Sequence, residues 1–225
     1  MRASSALPIG DPKASADELE RSVTKLGFKG AMVHGLDRDG GFLDDKKYWP
    51  IYERAQALDV PIYMHPGTPS KAVVEAYYKD YAKAFPQILS AGWGYTVEAA
   101  TQGLRMVLSG VFEAYPRLKV ILGHMGEGLP FLQWRIDASF SRPGNQANSF
   151  RKAFSEHFYI TTSGNFSDPA LICSVMEIGI DRILFAIDWP FVANKPGVDW
   201  AVRVPLCEED RVKLLGGNTR KLLKL

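Results

Sequence analysis

The sequence predicts an α/β fold of repeated βα units, best described as a TIM-type (β/α) barrel. Several apolar runs lack the alternation of a half-exposed strand, which is typical of strands buried on both faces in parallel sheets. The stretches between these runs have apolar residues at helical spacing, with capping residues or prolines at their starts. Because each unit repeats this order, the strands should be parallel and joined by helical crossovers.

The bulk composition bounds the class of protein. The chain has 225 residues, of which 46% are hydrophobic, and a net charge of +2. This supplies enough apolar material for one core, so we expect a single domain over residues 1–225. The charge and the lack of Lys/Arg runs give no sign of nucleic-acid binding. No apolar stretch has membrane-spanning length, and the two cysteines form no disulfide framework, so we predict a cytoplasmic protein.

Three apolar runs occupy the first half of the chain. Asp11-Pro12 is an N-cap followed by a first-turn proline, and Gly27 stands where that helix should end. Asp44-Asp45 begins the next helix, and residues 72–85 form either a helix or part of a mobile loop. In chain order, the predicted strands are Ala6–Ile9, Gly30–His34 and Val60–His65, and a further helix is marked by apolar residues from Trp93 to Val111.

Three further strands are predicted in the second half. Five of the six residues from Ile183 to Asp188 are apolar, which predicts a strand buried on both faces that ends on an acid. A loop and terminal helices from about Glu208 follow it. The other predicted elements here are strands at Leu118–His124 and Phe158–Ser163, a helix near Pro130, a polar connection at Asn145–Asn148 and a helix from Asp168 to Gly179.

Six strands are two fewer than a closed (β/α) barrel requires. We therefore expect that the chain lacks the first one or two βα units of such a barrel. A dinucleotide-binding fold has little support, because no Gly-x-Gly-x-x-Gly motif follows a strand.

Reactive side chains stand at the carboxyl ends of the predicted strands. His34, His65, His124 and Asp188 each end such a run, and parallel strands would direct them to one face. Histidine and aspartate suit a divalent metal such as zinc or manganese, and they also suit proton transfer. The alternative is that each histidine is satisfied by a neighbouring carbonyl. His157 enters its strand, so we expect a surface or helix-cap histidine there.

Glu127 follows His124 by three residues in a glycine-rich segment. The glycines would let the backbone turn tightly and bring Glu127 within reach of His124, whose tautomer it would fix. Alternatively, Glu127 is a helix-start glutamate favoured by the helix dipole. Arg135 either anchors an anionic substrate or forms a surface salt bridge. His34 either lines the pocket or belongs to the polar loop that follows it.

Together these residues resemble a known family. Five segments, in the family's order, are similar to the metal-dependent decarboxylases of the amidohydrolase superfamily, in particular those acting on γ-resorcylate and 2,3-dihydroxybenzoate. The resemblance extends from about Leu7 to the end of the chain. The segments are Tyr63–Pro66, Ile121–Glu127, Trp134–Asp137, Ile160–Asn165 and Asp181–Phe191.

The resemblance implies a (β/α)₈ barrel with one divalent metal, zinc or manganese. The activity it implies is that of a carboxy-lyase, releasing CO₂ from a hydroxybenzoate, a small aromatic carboxylate. His65 and Asp188 would be metal ligands, and Asp188 would also handle the proton. His124, paired with Glu127, would polarise the substrate. Arg135 would lie near the substrate or a subunit contact, and the protein would be a homo-dimer or homo-tetramer.

One departure from the family leads to alternative functions. The family begins with a strand that carries a Glu-x-His or His-x-His pair of metal ligands, and this sequence has no such pair. We therefore expect metal to bind weakly, because two protein ligands leave most of the coordination shell to water. The alternatives are a related metal-dependent hydrolase that opens a lactone or similar ring, and a truncated, non-catalytic remnant of the fold.

Overall fold

The computed structural model describes residues 4–37, 40–145 and 149–225. These ranges contain six strands, the number predicted, and they form two compact units, residues 1–118 and 119–225. The single domain over residues 1–225 stays a prediction. Among the helices in the described ranges, none is both long and apolar enough to cross a membrane.

The first unit contains three short parallel strands that pair in chain order. β1 (Ser5–Ala6) pairs with β2 (Ala31–His34), and β2 pairs with β3 (Ile62–His65) in a register that sets His34 opposite His65. The helices of this unit are α1 (Pro12–Leu26), α2 (Trp49–Leu58), α3 (Lys71–Val73), α4 (Lys79–Ala82), α5 (Gly94–Leu108) and α6 (Val111–Ala114), with 3-10 turns at Lys46–Tyr48 and Pro86–Leu89 and a π-helical turn at Val74–Tyr78.

Local capping explains where these helices begin and end. The Asp11 side chain accepts the Ala14 N–H at the start of α1, and Gly27 closes the helix with a φ of 72°. Asp45 caps the 3-10 turn that leads into α2. Both starts were predicted from the sequence. The stretch predicted as a helix or a mobile loop is helical from Lys71 to Ala82.

The helix predicted from Trp93 to Val111 is longer than α5, and α5 has polar residues on its buried side. It stops at Leu108, because Gly110 adopts a φ of 84° and separates α6 from it. Trp93 is exposed, whereas Glu98 and Gln102 are buried. Apolar spacing alone therefore does not identify the whole buried side of α5, because two of its buried positions are polar.

The second unit also contains three parallel strands that pair in chain order. They are β4 (Val120–Leu122), β5 (Phe158–Thr161) and β6 (Ile183–Leu184). The helices of this unit are α7 (Leu129–Phe140), α8 (Phe150–His157), α9 (Asp168–Ile178), α10 (Asn194–Ala201), α11 (Glu208–Val212) and α12 (Asn218–Leu223), with a 3-10 turn at Ile180–Arg182 and a π-helical turn at Lys213–Gly217.

The strand predicted over Ile183–Asp188 is wrong beyond Leu184. The Phe185 N–H donates to the carbonyl of Leu214. At Ala186 the Thr162 hydroxyl replaces a ladder partner, since its Oγ1 accepts the Ala186 N–H at 3.0 Å and donates to the Ala186 carbonyl at 2.7 Å. The chain thus leaves regular pairing while remaining tied to β5 through a side chain.

Two helices were missed from the sequence, and one histidine is more buried than one of its two predicted settings required. α8 carries Phe150 and Phe154, whose stacked rings have centroids 5.4 Å apart, and Phe154 also stacks on Phe158 at 4.7 Å. Phenylalanines at four-residue spacing after Ser149 were a usable signal for this helix. α10 contains a proline and a glycine, which hide its pattern. His157 is the last residue of α8, in agreement with the helix-cap alternative, and it is buried, so the surface alternative is wrong. Of the predicted polar connection Asn145–Asn148, residues 146–148 lie outside the described ranges.

We predict that Gly35→Ala destabilises the protein by at least ~2 kcal/mol. Gly35 has a φ of 53°, and a Cβ there would lie 2.8 Å from the Cα of Gly67, a backbone atom that cannot rotate away. The control is Gly10→Ala, whose added Cβ would meet nothing within 4 Å. Denaturant unfolding of both variants measures the difference, and equal midpoints would contradict the expected clash.

Candidate active site

The turn after β4 brings Glu127 back onto His124. Consecutive residues from His124 to Gly128 all have positive φ, between 47° and 77°, so the chain makes one left-handed turn. This turn places the Glu127 Oε1 atom 2.5 Å from Nδ1 of His124. The contact was predicted from the glycine spacing, although a left-handed turn of this length was not. The alternative, a glutamate serving only the helix start, does not describe this geometry.

Asp188 approaches the other side of the same imidazole. Its Oδ2 atom lies 3.9 Å from Nε2 of His124, a charge-pair distance that is longer than a hydrogen bond. Asp188 has a φ of 78°, and a cis peptide bond joins the next two residues, Trp189 and Pro190. The Val192 N–H donates to the Asp188 carbonyl at 3.0 Å, and the Gly164 N–H donates to the preceding carbonyl, that of Ile187. These bonds hold the carboxylate at the imidazole.

The two carboxylates decide the charge of His124. Burial by itself would lower the pKa of His124, but the hydrogen bond to Glu127 and the negative charges of Glu127 and Asp188 outweigh burial and raise that pKa. Glu127 is only 3% exposed, whereas about a quarter of the His124 and Asp188 side chains is accessible. The second unit therefore presents a readily protonated imidazole and a carboxylate to its surroundings.

In the first unit, His34 and His65 form a close pair. Their ring centroids are 4.6 Å apart, as the strand register requires. Partial desolvation, and then the charge that His65 can carry, lower the pKa of His34. Nδ1 of His65 lies 2.7 Å from the carbonyl oxygen of Pro66. Because a carbonyl oxygen only accepts, this contact places the His65 proton on Nδ1 and the lone pair on Nε2.

The sixth predicted site residue, Arg135, is not part of either cluster. Arg135 lies on the exposed side of α7, as do Phe131 and Trp134. Within the described ranges, no group of three or more His, Cys, Asp and Glu side chains is arranged to hold a metal ion. The structure therefore brings together His124, Glu127 and Asp188 in one unit and His34 and His65 in the other. The roles assigned to all six residues stay predictions.

Two polar residues near the histidine pair were not found from the sequence. Glu98 accepts the Gly67 N–H at 3.0 Å, and Gln102 donates to the Gly35 carbonyl at 2.7 Å. Their four-residue spacing on a helix was the available signal, but it is also typical of exposed helical pairs.

Comparison with known proteins establishes the class. A family model described as amidohydrolase matches residues 1–225. The chain belongs to the amidohydrolase family.

Several proteins to which the chain is similar are decarboxylases. A gamma-resorcylate decarboxylase of Polaromonas sp. strain JS666 is 43% identical over 100% of this chain and 70% of the relative's own length. The crystal structure of a dihydroxybenzoic acid decarboxylase from Polaromonas sp. JS666, with bound manganese and the inhibitor 2-nitroresorcinol, has a TM-score of 0.92 at 43% identity, covering 100% of this chain and 69% of that one. A 2,6-dihydroxybenzoate decarboxylase complexed with 2,6-dihydroxybenzoate has a TM-score of 0.90 at 41% identity, covering 100% and 71%.

These comparisons confirm the resemblance and the α/β barrel fold class predicted from the sequence. The shortage of one or two βα units stays a prediction.

We predict that Glu127→Gln lowers the pKa of His124 and destabilises the protein most at acid pH. The native pKa of His124 lies above its unfolded value, so Glu127 stabilises the fold most fully below the unfolded pKa, and this contribution is lost as the pH rises through the native pKa. We expect a loss of about 2 kcal/mol near pH 6 and a clearly smaller one near pH 9.

Urea unfolding at the two pH values measures this effect, and an NMR titration of His124 gives the pKa directly. Glu156→Gln, on the exposed side of α8, serves as the control. A destabilisation by Glu127→Gln that does not depend on pH would contradict the proposed charge pairing.

Proposed function

We propose that this protein is a metal-dependent decarboxylase that releases CO₂ from a hydroxybenzoate. The observation that carries the proposal is the His124 imidazole held between two carboxylates, Glu127 at Nδ1 and Asp188 at Nε2. Similarity to gamma-resorcylate and 2,6-dihydroxybenzoate decarboxylases supports the reaction and the substrate class.

The proposed reaction exchanges a carboxylate for a proton on the aromatic ring. Asp188 delivers a proton to the ring carbon that bears the carboxylate, the bond between that carbon and the carboxylate breaks, and its electron pair restores aromaticity as CO₂ leaves. His124, whose protonated form Glu127 favours, stabilises negative charge on the substrate oxygens and returns a proton to Asp188 from solvent. The net change consumes one proton for each CO₂ released.

A divalent metal would be held by His65 and Asp188. The described geometry of His65 fits this role, because its Nδ1–H is bound by the Pro66 carbonyl and its lone pair is on Nε2, as in metal-bound histidines generally. When bound, the metal would hold the substrate's carboxylate and neighbouring phenol oxygen. Nitrogen and oxygen ligands suit zinc or manganese. We favour manganese, which is bound in the dihydroxybenzoic acid decarboxylase described above.

Two further residues are proposed to contact the substrate. His34 is accessible beside His65 and is held neutral, so it is suited to hydrogen-bonding a phenol or carboxylate oxygen. Arg135 is proposed as a partner for an anionic group, because guanidinium pairs well with carboxylates. Its exposed position on α7 is equally suited to a contact between subunits, and we propose a homo-dimer or homo-tetramer.

We also propose a cytoplasmic protein, in keeping with the free cysteines Cys173 and Cys207.

We predict that the purified chain with added Mn²⁺ converts 2,6-dihydroxybenzoate to resorcinol and CO₂, and that Asp188→Asn lowers this rate at least ~100-fold by removing the proton donor. Asp199→Asn is the matched control, because Asp199 is an exposed aspartate that pairs with Lys195 on α10. Liquid chromatography of both aromatic compounds and trapping of CO₂ measure the reaction.

The same assay distinguishes the alternatives. Hydrolysis of an aryl lactone with hydroxybenzoates left unchanged would identify a metal-dependent hydrolase. A folded chain that converts neither substrate class would identify a non-catalytic remnant. An Asp188→Asn protein as active as the Asp199→Asn control would refute the role of Asp188.

We predict that metal is retained weakly. Among the described residues no group of three or more candidate ligands is assembled, so water should fill most of the coordination shell. Elemental analysis after desalting should find well under stoichiometric metal, and activity should follow the concentration of added Mn²⁺. Recovery of one tightly held ion per chain would contradict this expectation.

A further inference from the structure

Two polar side chains on the buried side of α5 hold the loops that follow β2 and β3. Glu98 is 6% and Gln102 is 3% exposed, and they stand one helical turn apart. Gln102 donates to the Gly35 carbonyl at 2.7 Å and accepts the Leu43 N–H at 3.1 Å. Gln102 also donates to Oε1 of Glu98 at 3.2 Å, so the two side chains form one network. Buried polar groups are costly unless they are satisfied, so this network fixes the loop backbone.

The second oxygen of Glu98 reaches the loop that follows His65. Oε2 accepts the Gly67 N–H at 3.0 Å. That N–H belongs to the peptide group between Pro66 and Gly67, and the carbonyl of the same peptide accepts the His65 Nδ1–H at 2.7 Å. A carboxylate, a peptide group and an imidazole are therefore joined in series. Because hydrogen bonds in a chain polarise one another, the carboxylate strengthens the carbonyl as an acceptor for His65.

We propose that Glu98 is a positioning residue that acts on His65 through the Pro66–Gly67 peptide. It fixes the imidazole in the Nδ1–H tautomer and orients Nε2, with its lone pair, for metal binding. Metal-binding histidines commonly donate their other N–H to a carboxylate or a backbone carbonyl, and here the carbonyl is itself backed by a carboxylate. The inference rests on the proposed function only in treating His65 as a metal ligand.

The donors around residue 98 favour glutamate over glutamine. Both Glu98 oxygens act as acceptors, one for the Gly67 N–H and one for the Gln102 Nε2–H. A glutamine at this position would have the same shape but only one acceptor oxygen, so one of the two bonds would be replaced by a contact between donors. Gln102 cannot easily turn its amide to compensate, since the Leu43 N–H and the Gly35 carbonyl fix its orientation.

The test compares the full chain with Glu98→Gln. Imidazole ¹⁵N shifts, recorded without metal at a pH where His65 is neutral and assigned with His65→Gln, report the tautomer. We expect the Nδ1–H form in the wild type, a raised Nε2–H fraction in Glu98→Gln, and Mn²⁺ binding weakened about 10-fold. Thr101→Val is the control, because its hydroxyl donates to the Val97 carbonyl within the same helix. It should change neither readout.

Two results would overturn the inference. The first is a wild-type His65 that carries its proton on Nε2, which is measurable even where Glu98→Gln does not fold. The second is a folded Glu98→Gln protein whose Gly67 amide exchanges faster while the His65 tautomer and Mn²⁺ affinity match those of Thr101→Val. A chain that shows the tautomer shift but decarboxylates no hydroxybenzoate would refute the proposed function and support the role of Glu98.

Discussion

The hydrogen bond between His124 and Glu127 is the interaction on which the candidate site of the second unit depends, and the backbone is distorted to allow it. The left-handed turn after β4 brings the Glu127 carboxylate onto the ring of His124. His124, Met125 and Glu127 each adopt a conformation that costs an L-residue about 1–2 kcal/mol. Tight packing of Gly126 against Ile160 and Pro130 helps to hold that turn in place. Strain of this kind persists where surrounding structure enforces it, and it is concentrated at functional sites.

In both units, side chains bind the backbone just beyond the ends of short strands. The strands are only two to four residues long, and the backbone groups beyond their ends still need hydrogen-bond partners. In the second unit, the Thr162 hydroxyl accepts the N–H of Ala186 and donates to the carbonyl of the same residue, two residues before Asp188. In the first unit, Glu98 takes the Gly67 N–H, two residues after His65. Side chains from neighbouring elements thus bind the backbone within two residues of Asp188 and of His65, where the strand pairing has ended.

The sequence predicted those features whose causes are local. Asp11 and Gly27 marked the ends of α1 because capping depends on nearby backbone groups. The contact between His124 and Glu127 was predicted for the same reason, because the whole turn lies within the five residues from His124 to Gly128, two of which are glycines. Features fixed by distant partners were missed. The early end of β6 depends on Leu214 and Thr162, and the burial of Glu98 and Gln102 depends on loops that lie far away in sequence. Apolar periodicity does not report a polar group that is satisfied by tertiary contacts.

The contact between Gly35 and Gly67 restricts how this protein evolves. The two Cα atoms approach so closely that a Cβ on either glycine would strike the backbone of the other. At most packed positions, a larger residue on one side is accommodated by a smaller residue on the other. Here neither partner can become smaller, so no second-site substitution at the contact restores the space. Neither glycine can therefore be replaced by a larger residue, whatever stands at the other position. Relief of the clash would require moving a loop that directly follows His34 or His65.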